Sequence, residues 1–150
     1  MKTAWQLAVV IALVSVFTSC ASMTPDEQYV RQKIPIVIES GKPVVVELSL
    51  SGTGENQVGI RCSPQVWNTL TNGTEQITVK LKSSSKEGTK IGGISPGSGK
   101  RWPIESFHYL FYIYGGYHAK ASVEITFPNA PPGVTHAEII VDKTPSDTGL

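Results

Sequence analysis

From Ile34 onward the chain alternates apolar and polar residues with a period of two. Ile34, Ile36 and Ile38 come first, then Val44, Val46, Leu48 and Leu50 after a turn at Gly41-Lys42-Pro43. Val58, Ile60 and Cys62 share a face opposite Gln57, Gly59 and Arg61, and Ile77, Val79 and Leu81 alternate with Thr78, Lys80 and Lys82. Ala137, Ile139 and Val141 close the series. Because successive side chains on a strand point to opposite faces, each stretch predicts a β-strand with one face in a core.

One segment breaks the alternation. Ser63-Pro64-Gln65-Val66-Trp67-Asn68-Thr69-Leu70 starts with an N-capping hydroxyl and a proline suited to the first helical position, and Asn72-Gly73 stops it. This predicts one short helix. Ser- and Gly-rich loops are expected at 83–88 and 92–100. The count is seven or eight strands, which predicts an all-β, antiparallel β-sandwich of immunoglobulin-like or transthyretin-like outline.

Phe107 to Phe127 holds two strong β runs around Gly115-Gly116. Read as a hairpin, a three-residue loop Gly115-Gly116-Tyr117 pairs Ile113 with Ala119, Phe111 with Ala121, Tyr109 with Val123 and Phe107 with Ile125. One face then becomes wholly apolar, and burial favours that register over the one-residue slip. The opposite face would carry His108 across from Glu124, Tyr112 across from Lys120, and Tyr114 across from His118. Tyrosines are stiff and amphipathic, and a His–Glu pair makes recognition pH-sensitive, so these six residues form the candidate binding face.

The N-terminus carries a different pattern. Met1-Lys2 gives positive charge, Ala4 to Phe17 is an apolar run of 14 residues broken only by Gln6 and Ser15, and small residues follow. That is the layout of a secretory signal, and the run is short for a bilayer-spanning helix, which needs about 18–20 residues. Phe17-Thr18-Ser19-Cys20 resembles the lipobox of bacterial lipoproteins, with Phe17 where leucine is usual. The resemblance implies cleavage before Cys20 and its acylation. Residues 1–19 are then the signal peptide, 20–33 the lipidated Cys20 with a polar tether, and 34–150 the sandwich domain. Ala21 stands where an Asp would signal inner-membrane retention, which implies an outer-membrane anchor facing the periplasm. Cleavage after Ala21 instead would give a soluble secreted protein.

Loss of residues 1–19 removes one lysine, leaving 12 Lys+Arg against 12 Asp+Glu and Cys62 as the sole thiol besides Cys20. A neutral chain without a basic block makes nucleic acid a poor partner. Catalytic motifs fail on inspection. Gly93-Ile94-Ser95-Pro96-Gly97 has the letters of a nucleophile elbow, but Pro96 lacks the N–H that an oxyanion hole needs. A phosphate loop would require Gly at Ile94 and Ser or Thr at Arg101. His108, His118 and His136 lack metal-site spacing, so no metal or cofactor is expected. The expected function is a lipid-anchored, non-enzymatic module that binds a protein. In outline it resembles two groups of small β-sandwich envelope lipoproteins, secretion or assembly accessories and immunity proteins. The rival readings are an envelope hydrolase using His108 and Glu124, or a glycan binder using Trp67 or Trp102.

Overall fold

A computed structural model describes residues 30–51, 55–94 and 107–142. Their order is β1 (Val30–Glu39), β2 (Val44–Ser49), β3 (Glu55–Arg61), α1 (Pro64–Thr71), β4 (Thr78–Ser84), β5 (Lys90–Gly92), β6 (His108–Tyr114), β7 (Lys120–Thr126) and β8 (Val134–Asp142). The strands form two antiparallel sheets. The larger has the order β1-β8-β3-β6-β5 and the smaller β2-β7-β4. This is the expected all-β sandwich with one short helix.

The winding within it is specific. β1 pairs with β8, β2 with β7 and β3 with β6, so the chain behaves as one long hairpin folded over on itself, with successive pairs in alternate sheets. That nesting is jelly-roll order, with the three-residue β5 on the edge of the larger sheet beside β6. An immunoglobulin domain would instead place its first two strands in the same sheet. The Gly41 turn, at φ 74°, carries the chain from β1 in one sheet to β2 in the other.

The alternation read from the sequence sets the core. Ile36, Ile38, Val46, Leu48, Val58, Ile60, Ile77, Val79, Ile139 and Val141 are all buried between the sheets. Each such side chain contributes about 1.5–3 kcal/mol through removal from water. Helix α1 closes one part of the core with Leu70. Val66 donates its N–H to Ser63 Oγ at 3.3 Å, which makes Ser63 the predicted N-cap.

β1 begins at Val30, four residues before the expected start at Ile34, so residues 30–33 are strand and not tether. Their polarity reads as a tether in sequence but serves as a crosslink. Gln32 donates to Glu47 O at 3.2 Å and accepts from Ser49 N at 3.0 Å, so its carboxamide caps the open edge of β2. Arg31 Nη2 donates to Oδ1 of the buried Asn56 at 2.9 Å, and Asn56 also accepts from Ser51 N at 3.1 Å. Other edges are protected too. Pro35 removes an N–H from β1, and β4 carries Lys80 and Lys82 with a register shift between Leu81 and Ser83.

Ile139→Ala, at the centre of β8, should cost about 2–5 kcal/mol in urea unfolding. Val45→Ala, on the exposed face of β2, should change stability by less than about 0.5 kcal/mol.

Candidate functional site

The expected β6–β7 hairpin does not form. β6 pairs with β3 and β5 in the larger sheet, whereas β7 pairs with β2 and β4 in the smaller. Phe111, Ile113, Ala119, Ala121, Val123 and Ile125 do share one core, but from opposite layers. Burial was the right criterion for their faces and the wrong one for their partners, because two layers can bury against each other without hydrogen-bonding.

The six candidate residues are therefore divided. Tyr112 and Tyr114 stay together on the outer face of the larger sheet, opposite Gln57 and Glu55 of β3. His108 stands opposite the buried Ile60 and stacks on Trp67 of α1, with ring centroids 4.2 Å apart and planes 4° from parallel. Lys120 and Glu124 lie on β7 of the other sheet, where Glu124 Oε2 meets Lys82 Nζ at 3.3 Å. His118 sits in the turn between the layers at φ 56°, where Ala119 N donates to Gly116 O at 3.0 Å. None of the three expected cross-strand pairs exists, and His108 and Glu124 do not form a base-and-carboxylate dyad.

What the sheet does assemble is a row of tyrosines. Val58 faces Phe111 and Gly59 faces Tyr109, so Leu110 is the extra residue of a β-bulge. Leu110 and Phe111 are both fully buried as a result. In a regular strand Tyr109 would share the inward face with Phe111 and Ile113; the bulge turns it outward, in line with Tyr112 and Tyr114. Ring centroids are 6.4 Å apart for Tyr109 and Tyr112, and 5.3 Å apart at 83° for Tyr112 and Tyr114.

Small residues make room for these rings. A Cβ on Gly92 would lie 2.7 Å from Tyr112 Cε2, and Gly93 is held at φ 54° against the same ring. Tyr109 donates its hydroxyl to Gly93 O at 2.9 Å, fixing the end of β5 to the row. Lys90 Nζ stands 5.7 Å from the Tyr114 ring centroid, within cation–π range. Gln57, opposite Tyr112, holds its Oε1 buried with no hydrogen-bond partner among the described residues. Sequence reading missed Tyr109, Lys90 and the glycine floor. The signal was the spacing of tyrosines at 109, 112 and 114, three and then two residues apart, which shares a strand face only across a bulge.

No protein-family model, curated protein or solved structure matches this chain. The site therefore stands on its own geometry.

Burial pushes the Tyr109 hydroxyl well above its ordinary pKa of 10.0, and the neighbouring Tyr112, Glu55 and Tyr114 add to this. Burial, then the Glu55 carboxylate and Tyr112, also raise Tyr114. Burial alone raises the half-buried Cys62 thiol to about 11, so it stays protonated near neutrality and is a poor nucleophile.

A separate cleft of about 340 Å³ opens at the end of α1, beside Thr71, Glu75, Ile77 and Ile94. Glu75 is the only ionisable residue among the described residues that line it. Among the described residues no cluster of His, Cys, Asp and Glu could hold a metal, and no helix is long and apolar enough to cross a membrane. Cys20, Trp102 and residues 95–97 of the elbow-like motif lie outside the described residues.

A tyrosine with a raised folded-state pKa keeps its proton while the unfolded chain loses it. Stability is then complete below about pH 10 and falls as pH rises above that value. Urea midpoints between pH 8 and 11.5 should show this fall, and Tyr109→Phe should flatten it.

Proposed function

We propose that this chain is a lipoprotein, anchored through Cys20 to the outer membrane on its periplasmic side, whose sandwich binds another protein without catalysing a reaction. The anchor reading is supported by Phe17-Thr18-Ser19-Cys20 after an apolar run of 14 residues. Two or three acyl chains, each buried methylene contributing about 0.8 kcal/mol, give a lasting hold.

The single observation that carries the binding reading is the Leu110 bulge, which sets Tyr109, Tyr112 and Tyr114 side by side on the outer face of a sheet. Regular alternation would bury Tyr109 and leave two tyrosines, whereas the bulge recruits a third beside Lys90. Such rings present large apolar area with a polar tip and little rotamer entropy to lose, the composition found at protein contact sites. The residues once paired for hydrolysis, His108 and Glu124, are on different sheets, and Trp67 has one ring face covered by His108, which weakens the hydrolase and glycan readings. A secretion or assembly accessory and an immunity protein both fit a module of this kind.

Crosslinking in intact cells, followed by identification of what co-purifies, tests the face. Tyr112→Ala and Tyr114→Ala should each reduce recovery of the partner at least tenfold, about 1.4 kcal/mol, and Lys80→Ala on the other sheet should not. Equal recovery with all three variants would remove the tyrosine face from consideration.

A further inference from the structure

The row of tyrosines is flanked by opposite charges in a way that specifies its partner. Tyr114 stands opposite Glu55 of β3 on one side and opposite Lys90 of β5 on the other. With neighbouring strands about 4.8 Å apart, the acid and the base flank the ring symmetrically, roughly 10 Å from each other across the sheet. Lys90 is exposed and Glu55 half-buried, so both charges border the outer face.

Two sheets can meet face to face about a two-fold axis lying in the plane between them, and the charges discriminate between its two simplest directions. An axis across the strands would set Glu55 against Glu55 and Lys90 against Lys90, which is repulsive at both ends. An axis along β6 exchanges the two sides: Glu55 of one copy meets Lys90 of the other, twice, while Tyr112 and Tyr114 meet their own counterparts. From this self-complementarity we infer that the tyrosine face joins two copies of this chain about a two-fold axis running along β6.

The inference rests on the reading of this face as a protein contact and names its partner as a second copy. The expected pair is weak. Three tyrosines per copy, each able to bury 150–250 Å², reach at most the lower end of the roughly 800 Å² per partner of a standard interface. Confinement of anchored copies to one membrane would raise their effective concentration and offset that weakness.

Sedimentation equilibrium of the full chain in detergent, from about 1 µM to 1 mM, tests it by charge exchange. The wild type should show a reversible monomer–dimer equilibrium. Lys90→Glu and Glu55→Lys should each weaken it about tenfold, and the double exchange should restore it to within about twofold, because only the double variant again opposes unlike charges. Circular dichroism of each variant checks that the sandwich is intact, and Lys90→Ala with Glu55→Gln serves if a reversal unfolds it, the two together weakening association no more than either alone. A monomeric wild type throughout, or a double variant as weak as the single ones, overturns the inference. In that event, loss of a different co-purifying protein in Tyr112→Ala would leave the face as a contact for another partner, and no such loss would remove both readings.

Discussion

The last strand lies between the first and the third, and the rest of the architecture follows from that insertion. β8 pairs with β1 over almost its whole length and with β3 on its other side, and Ile139, Ile140 and Val141 are fully buried in succession. A strand buried on both faces cannot show simple alternation, and Ile140 packs with Phe107 on the far side of the sheet from the main core. Once the first and last strands are joined, the second must find the seventh and the third the sixth. Consecutive strands β6 and β7 are then held in different layers. The closure joins residues 95 to 112 positions apart, and such non-local pairing is entropically costly and slow to form.

The same winding decides what the surface can display. With β7 in the other sheet, the outer side of β6 lies beside β3 and β5 with its three tyrosines half-buried, instead of being mixed with the polar side of β7. The bulge at Leu110 then acts on a strand whose neighbours carry Gly59, Gly92 and Gly93, positions where any side chain would strike Phe107 or Tyr112. Phe107 and Tyr112 take the space over glycine backbone on this sheet, with Glu55 and Lys90 beside Tyr114 at one end of the face and the Arg61–Glu138 ion pair at the other. The burial of both Leu110 and Phe111 and the row of three tyrosines are therefore consequences of one irregularity in one strand.

Much of the fold could be read from residues alone, and what could not has physical causes. Ile36, Ile38, Val46, Leu48, Val58 and Ile60 were assignable to the core because period-two burial is local information. Ser63, Pro64 and Asn72 bounded α1 for the same reason, as caps act over three or four residues. Partnership is not local. Phe111 and Ala121 were correctly assigned to one apolar interior and wrongly to one sheet, because burial tells which residues face inward and not which backbone they bond. Arg31 and Gln32 looked like solvent-facing tether, since their value lies in reaching Asn56 and the edge of β2, residues far along the chain. Of the candidate site, Tyr112 and Tyr114 were found as a pair by their spacing, while Tyr109 required the bulge to be known first.

The separation of β6 and β7 into opposite layers is the claim on which fold and surface both stand, and cross-strand nuclear Overhauser effects read it directly. Backbone protons of Phe111 should show contacts to Val58 on β3, and those of Ile113 to Ile91 on β5. Backbone contacts from Phe111 to Ala121, with none to Val58, would mean that the two strands form a hairpin after all, and the tyrosine row as drawn would not exist.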